Sequence, residues 1–172
     1  MRILAVDPSL RGTGYAILEE SGARIRCLEY GVVRNPASLS QEACLIAIHD
    51  ILKGCVERFQ PTALAIEKVI YVQSFATAIV LGSARGVAVL AAAQTGLSIH
   101  EYAPKRVKQA VVGRGAASKD QVAFMIRALL GLTVTPPSDA ADAIAIGITH
   151  LRTISSPVLK ITATKPLTHK QK

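Results

Sequence analysis

The chain predicts a single mixed α/β domain: a five-stranded sheet, antiparallel through its first three strands and parallel thereafter, flanked by helices. Three observations carry this. Three extended runs lie close together near the N-terminus, separated by turn signals. A stretch with helical periodicity then leads to a fourth strand, giving a β-helix-β unit, and helical patterns fill most of the remainder. The 172 residues are half hydrophobic, which is enough for one domain with a substantial core and too few for two typical ones.

The elements follow in order. Arg2 to Val6 is a short apolar run that reads as a buried strand, Gly12-Thr13-Gly14 reads as a turn, and Tyr15 to Leu18 and Arg24 to Val33 complete an antiparallel meander. Asn35-Pro36 breaks the chain, Ser40 caps a helix, and Leu45, Ile48, Leu52, Val56 and Phe59 recur at helical spacing until Pro61. Ala63 to Glu67 is the fourth strand. The stretch from Ser74 to Gln94 is rich in Ala, Val and Gly and predicts a buried or interface helix, and Leu97 to Tyr102 predicts the fifth strand. A basic segment runs from Pro104 to Gly115. Ser118 and Gln121 have capping-box spacing for a helix through Leu130. Pro136-Pro137 stops the chain, and Ser138 is expected to cap a last helix from Asp139 to about Leu151. The domain is expected to span residues 1–153, followed by a basic tail, 154–172, interrupted by Pro157 and Pro166 and expected to be mobile.

Twenty Lys and Arg against twelve Asp and Glu give a net charge of +8, a balance that favours a polyanionic partner. Cys27, Cys44 and Cys55 lack CxxC spacing and lie in or beside apolar stretches, as buried thiols in a reducing cytosol do. No secretory h-region follows Met1, and Gly82, Ser83, Arg85 and Gly86 interrupt the longest apolar stretch, so neither an export signal nor a membrane span is expected. A cytoplasmic protein is the expectation.

Against this basic background four acids stand out. Asp7 and Glu67 each follow four apolar residues and so leave a buried strand at its carboxyl end, the edge where open α/β sheets place ligands. Asp139 and Asp142 are three apart, with Cβ atoms about 5 to 6 Å from each other on one helical face. Taken singly, the acids have ordinary readings: Asp139 and Asp142 complement a helix dipole, and Asp7 and Glu67 merely end their strands. Together they suit hard divalent cations such as Mg²⁺, and two such ions can clamp the attacking and leaving oxygens of a phosphodiester.

Several further segments occur in one order: Asp7-Pro8-Ser9 with Thr13-Gly14-Tyr15, Ala65-Ile66-Glu67-Lys68-Val69, Leu81-Gly82-Ser83-Ala84-Arg85-Gly86, Val107-Lys108-Gln109-Ala110-Val111-Val112-Gly113, and Asp139-Ala140-Ala141-Asp142-Ala143 with Thr149-His150. From about residue 2 to residue 151 the chain resembles the RuvC family of Holliday-junction resolvases. The resemblance implies a ribonuclease-H-like fold, a homodimer, and Mg²⁺-dependent paired incision of four-way DNA junctions in recombination and repair. It further implies two ions per subunit, with Mn²⁺ as a substitute, and cooperation with RuvA and the RuvB motor. By matching position, Asp7, Glu67, Asp139 and Asp142 are the catalytic, metal-binding carboxylates, and Lys108 and Lys119 belong to the active-site region.

Lys105, Arg106, Lys108, Arg114 and Lys119 form a run of five positive charges with no negative one between Tyr102 and Lys119. They read either as a solvated helical face or as a phosphate-binding arm, with Gly113 and Gly115 giving a loop at Arg114. Arg85 joins the expected DNA contacts. The family commonly carries an aromatic wedge three residues after Glu67; here Ile70 stands there, so the wedge is expected at Ile70 or at Tyr71, with Phe75 further on. Ser9 replaces the family's usual glycine. The four histidines, His49, His100, His150 and His169, show no HxH or HxxxH pair, so a zinc site is not expected. Two other functions fit the sequence less well: an actin-like ATPase, disfavoured because only one lobe and no P-loop are present, and a catalytically dead junction-binding module, disfavoured by the intact set of four acids.

Overall fold

The computed structural model describes residues 1–70 and 74–155. The expected tail from residue 156 and Tyr71 lie outside the described residues.

Five strands form one sheet: β1 (Arg2–Asp7), β2 (Gly12–Ser21), β3 (Arg24–Arg34), β4 (Ala63–Glu67) and β5 (Ser98–Tyr102). Their order is β3-β2-β1-β4-β5, with β1, β2 and β3 antiparallel and β1, β4 and β5 parallel. The helices are α1 (Gln41–Phe59), α2 (Phe75–Ala93), α3 (Pro104–Val112), α4 (Lys119–Leu130) and α5 (Ser138–Ser155).

Alternation along the strands divides the core in two. Ile3, Ala5, Ala16, Leu18, Ala63 and Ala65 face α5, where Ile144, Ile148 and Leu151 pack against them. Leu4, Val6, Ile17, Leu64 and Ile66 face the opposite way, against Ile48, Leu52 and Cys55 of α1 and the alanines of α2. The central strand β1 is therefore apolar at every interior position, because it is covered on both faces.

Caps hold the helices at the expected places. Ser40 accepts the amide of Ala43, Ser74 accepts that of Thr77, and Ser118 with Gln121 forms the full capping box. Three expectations need correction. Gly12-Thr13-Gly14 is not a turn but the start of β2, where Gly14 pairs with Asp7; the turn lies just before it, closed by the Thr13 hydroxyl, which accepts the Ser9 amide and donates to the Ser9 carbonyl. Ser138 does not cap α5 but is its first residue, and the Pro137 carbonyl accepts the Ala141 amide. α5 continues to Ser155, so the boundary at residue 153 falls inside the helix.

Length and composition alone would also let α2 cross a bilayer. Its place in this fold is beside α1, with Ala84, Ala88, Ala91 and Ala92 buried and Arg85 paired to Glu101 of β5. The side away from the core exposes Phe75, Ile79 and Leu90. Cys44 and Cys55 are buried and Cys27 is partly so; all three thiols are free. Burial pushes the Cys27 thiol up to about 12, which keeps it protonated and unreactive.

Candidate active site

Parity along the strands selects what reaches the site. Ile3, Ala5 and Asp7 share one face of β1, and Ala63, Ala65 and Glu67 share the same face of β4, so both acids emerge toward α5. Val6 lies opposite Ile66 in the parallel ladder, and Asp7 and Glu67 leave it one residue later, side by side. The N-terminal turn of α5 crosses this edge and adds Asp139 and Asp142. A cleft of about 270 Å³ is lined by Asp7, Glu67, Asp142, Lys108, Lys119, Pro104, Val107, Val122, Ala145 and Ile146. Lys119, the first residue of α4, places its ammonium 3.4 Å from an oxygen of Asp142.

The electrostatics follow from packing acids together beneath an apolar wall. Burial is the largest influence on Asp7, and the charges of Asp142, Glu67 and Asp139 add to it; together, against the opposing Lys119, they push its carboxyl from 3.8 to about 7. Glu67 is raised by burial and then by Asp142, again against Lys119. Among the described residues, no three acidic, imidazole or thiol groups close around a single point. Asp7, Glu67 and Asp142 line the cleft without closing around one point. Four carboxylates, two of them pushed up by burial and by acidic neighbours, are a donor set that fits hard divalent cations.

Asp139 lines neither this cleft nor its neighbour; one carboxylate oxygen lies 3.1 Å from where a Cβ on Gly12 would stand. The basic arm divides. Pro104–Val112 is helical, with Lys105 and Arg106 exposed and Lys108 turned into the cleft, while Arg114 is exposed in the loop between α3 and α4. The segment is thus helical through Val112 and an exposed loop at Arg114. Arg85 stands apart, its guanidinium bonded to Glu101, and is not among the cleft residues.

A second cleft of about 270 Å³ shares Asp7 and Glu67 and is otherwise lined by Pro8, Lys68, Val69, Ile70, Leu81 and Pro104. Ile70 is 66% exposed there. Lys68 escaped the sequence reading, although its place directly after Glu67 was a usable signal. The histidines held a second surprise. His100 and His150 lie ring to ring with centroids 4.5 Å apart, and the fully buried His150 shares a 2.8 Å hydrogen bond with the Tyr102 hydroxyl. This contact joins α5 to β5. Burial lowers His150 to about 4, so its ring is neutral at pH 7.

The family described as "Crossover junction endodeoxyribonuclease RuvC" matches residues 3–150. A protein of that name from Akkermansia muciniphila is 56% identical over 151 residues, covering 88% of this chain and 90% of its own length. Another from Heliobacterium modesticaldum is 46% identical over 149 residues, 86% of this chain and 92% of its own. The solved structure of T. thermophilus RuvC in complex with a Holliday junction substrate superposes with a TM-score of 0.85 at 33% identity, covering 90% of this chain and 94% of that one. The chain belongs to the RuvC family of crossover junction endodeoxyribonucleases.

Proposed function

We propose that this protein is a metal-dependent endonuclease that resolves four-way Holliday junctions by paired, symmetric incisions in recombination and repair. The single observation that carries the reading is the cleft in which Asp7, Glu67 and Asp142 face Lys108 and Lys119. Asp7, Glu67, Asp139 and Asp142 would hold two Mg²⁺ ions, with Mn²⁺ able to substitute. When bound, the ions supply Lewis-acid activation of the attacking water and stabilisation of the departing oxygen.

The protein's own residues do the rest. Lys119 and Lys108 offset negative charge on the phosphate under attack. Lys105, Arg106 and Arg114 grip backbone phosphates leading to the cleft, and this contact is salt-sensitive. Ile70 is the described candidate for the apolar wedge at the junction centre; Tyr71, the other candidate, lies outside the described residues. In-line attack leaves a 5′-phosphate and a 3′-hydroxyl that can be ligated.

Paired cutting needs two sites related by symmetry, so the working form is a homodimer. The exposed face of α2 supports this: Phe75, Ile79, Gly82, Gly86 and Leu90 recur on one side at helical spacing, and open space lies beside both glycines. A second copy of the same face can approach closely there. Family membership supports RuvA with RuvB as cellular partners, and the cytoplasm as the place of work.

The test is cleavage of a synthetic four-way junction. Mg²⁺ should yield two nicked duplexes, whereas Ca²⁺ or EDTA should yield none. Equal cutting in EDTA refutes the metal mechanism, and binding without cutting under every metal condition favours the junction-binding module instead.

A further inference from the structure

β2 carries two glycines, Gly12 and Gly14, in its first three residues. Glycine weakens a strand, and neither residue has the positive φ that would require it. The reason for both lies in α5. A Cβ on Gly14 would stand 1.9 Å from the Asp139 carbonyl oxygen, 2.4 Å from its carbonyl carbon and 3.1 Å from the Ala140 nitrogen. These are backbone atoms, which cannot swing aside. A Cβ on Gly12 would meet the Asp139 carboxylate at 3.1 Å.

Gly12 and Gly14 share a strand face, which continues through Ala16 and Leu18 into the core beneath α5. Side-chain size on that face grows with distance from the acids, and at the N-terminal turn of α5 the helix main chain lies directly against the strand main chain at Gly14. Gly14 is also the direct ladder partner of Asp7. The rung that carries one acid is thus the rung against which the main chain of another rests.

We propose that Gly14, assisted by Gly12, is a positioning residue: the two form a notch in β2 that seats the first turn of α5 and sets the gap between Asp139 and Asp7 for a shared divalent cation. The inference rests on the metal-dependent reading above. In Gly14→Ala the first turn of α5 must lift from the sheet, carrying Asp139 away from Asp7. In Gly12→Ala only the carboxylate must turn aside. Neither glycine has a side chain with which to hold the ion.

The experiment reads Mg²⁺ binding as well as cleavage. Melting of the full chain is followed with increasing Mg²⁺ alone, and the Mg²⁺ concentration for half-maximal junction cutting is measured in parallel. Leu18→Ala serves as the control, because it opens a cavity in the same α5–sheet interface away from the acids. Wild type should gain melting temperature with Mg²⁺. Leu18→Ala should melt lower yet gain by the same amount, at an unchanged Mg²⁺ midpoint. Gly14→Ala should lose the gain and need at least about tenfold more Mg²⁺, the cost typical of disturbing what holds metal ligands in place. Gly12→Ala should shift the midpoint in the same direction but by less, and it decides the question if Gly14→Ala does not fold. Glycine variants with a wild-type midpoint and melting gain overturn the notch alone, as does a Leu18→Ala midpoint shifted as far as theirs. A wild-type protein that neither binds Mg²⁺ nor cuts with it overturns the functional reading, and the notch with it.

Discussion

Replacing Asp7 by Asn isolates the electrostatic strain of the acidic cleft, because the amide matches the carboxylate in size and cannot ionise. In the folded protein the Asp7 carboxyl is pushed from 3.8 to about 7, chiefly by burial and then by Asp142, Glu67 and Asp139. Each pH unit of that rise corresponds to about 1.4 kcal/mol, so holding Asp7 ionised costs the fold up to about 4 kcal/mol when no cation is present. The sign follows from proton counting. Between about pH 4 and pH 7 the folded state keeps a proton that the unfolded chain has released. Stability from this group is therefore complete below about pH 4, declines as the pH rises, and levels off above about pH 7. Asp7→Asn has no such decline. Urea unfolding of both proteins in EDTA, at points from about pH 4 to pH 8, should show the variant overtaking wild type as the pH rises, by as much as about 4 kcal/mol. Adding Mg²⁺ at high pH should restore wild type and leave the variant nearly unmoved. The variant should still bind a junction, since Lys105, Arg106, Lys108, Arg114 and Lys119 remain, but it should not cut. A stability difference that is constant across the range would refute the argument, for it would mean that Asp7 is solvated like any surface acid.

The other expectations concern separate parts of the molecule. Lys119→Ala removes an ammonium 3.4 Å from Asp142; its side chain is 75% exposed, so stability should hardly change, while single-turnover cleavage should slow by about a hundredfold and the salt slope of junction binding should fall by about one. Unaltered kinetics would remove Lys119 from the site. Ile79→Asp puts a charge in the middle of the exposed α2 face, and sedimentation should report monomers; a persistent dimer would assign the interface to another surface. For the buried pair His150 and Tyr102, burial lowers the imidazole from 6.5 to about 4, so its contribution to stability is complete above about pH 6.5 and is lost as the pH falls toward 4. The double variant His150→Leu with Tyr102→Phe removes both polar partners together, which is close to neutral at pH 7, and it should exceed wild type by about 2 kcal/mol near pH 5 in urea titrations. Parallel acid limbs for the two proteins would contradict this.

The sequence by itself determined what is local. Short apolar and extended runs between turn signals gave the five strands, Ser40 and Ser118 gave helix starts, and four apolar residues before Asp7 and before Glu67 put both acids at strand ends. Parity even determined the face: Ile3, Ala5, Asp7 and Ala63, Ala65, Glu67 repeat one pattern, so both carboxylates had to emerge on the same side if the strands were neighbours. Tertiary structure alone decided that they are. It brought β1 beside β4 in parallel, tied Arg85 to Glu101 away from the acidic cleft, drew His100 and His150 together from fifty residues apart, and made strand of the Gly12-Thr13-Gly14 segment that reads as a turn. The physical reason is range. Periodicity and capping are interactions between residues a few positions apart and leave their mark along the chain, whereas a glycine retained because a distant helix presses on it looks like any other glycine until that helix is in place.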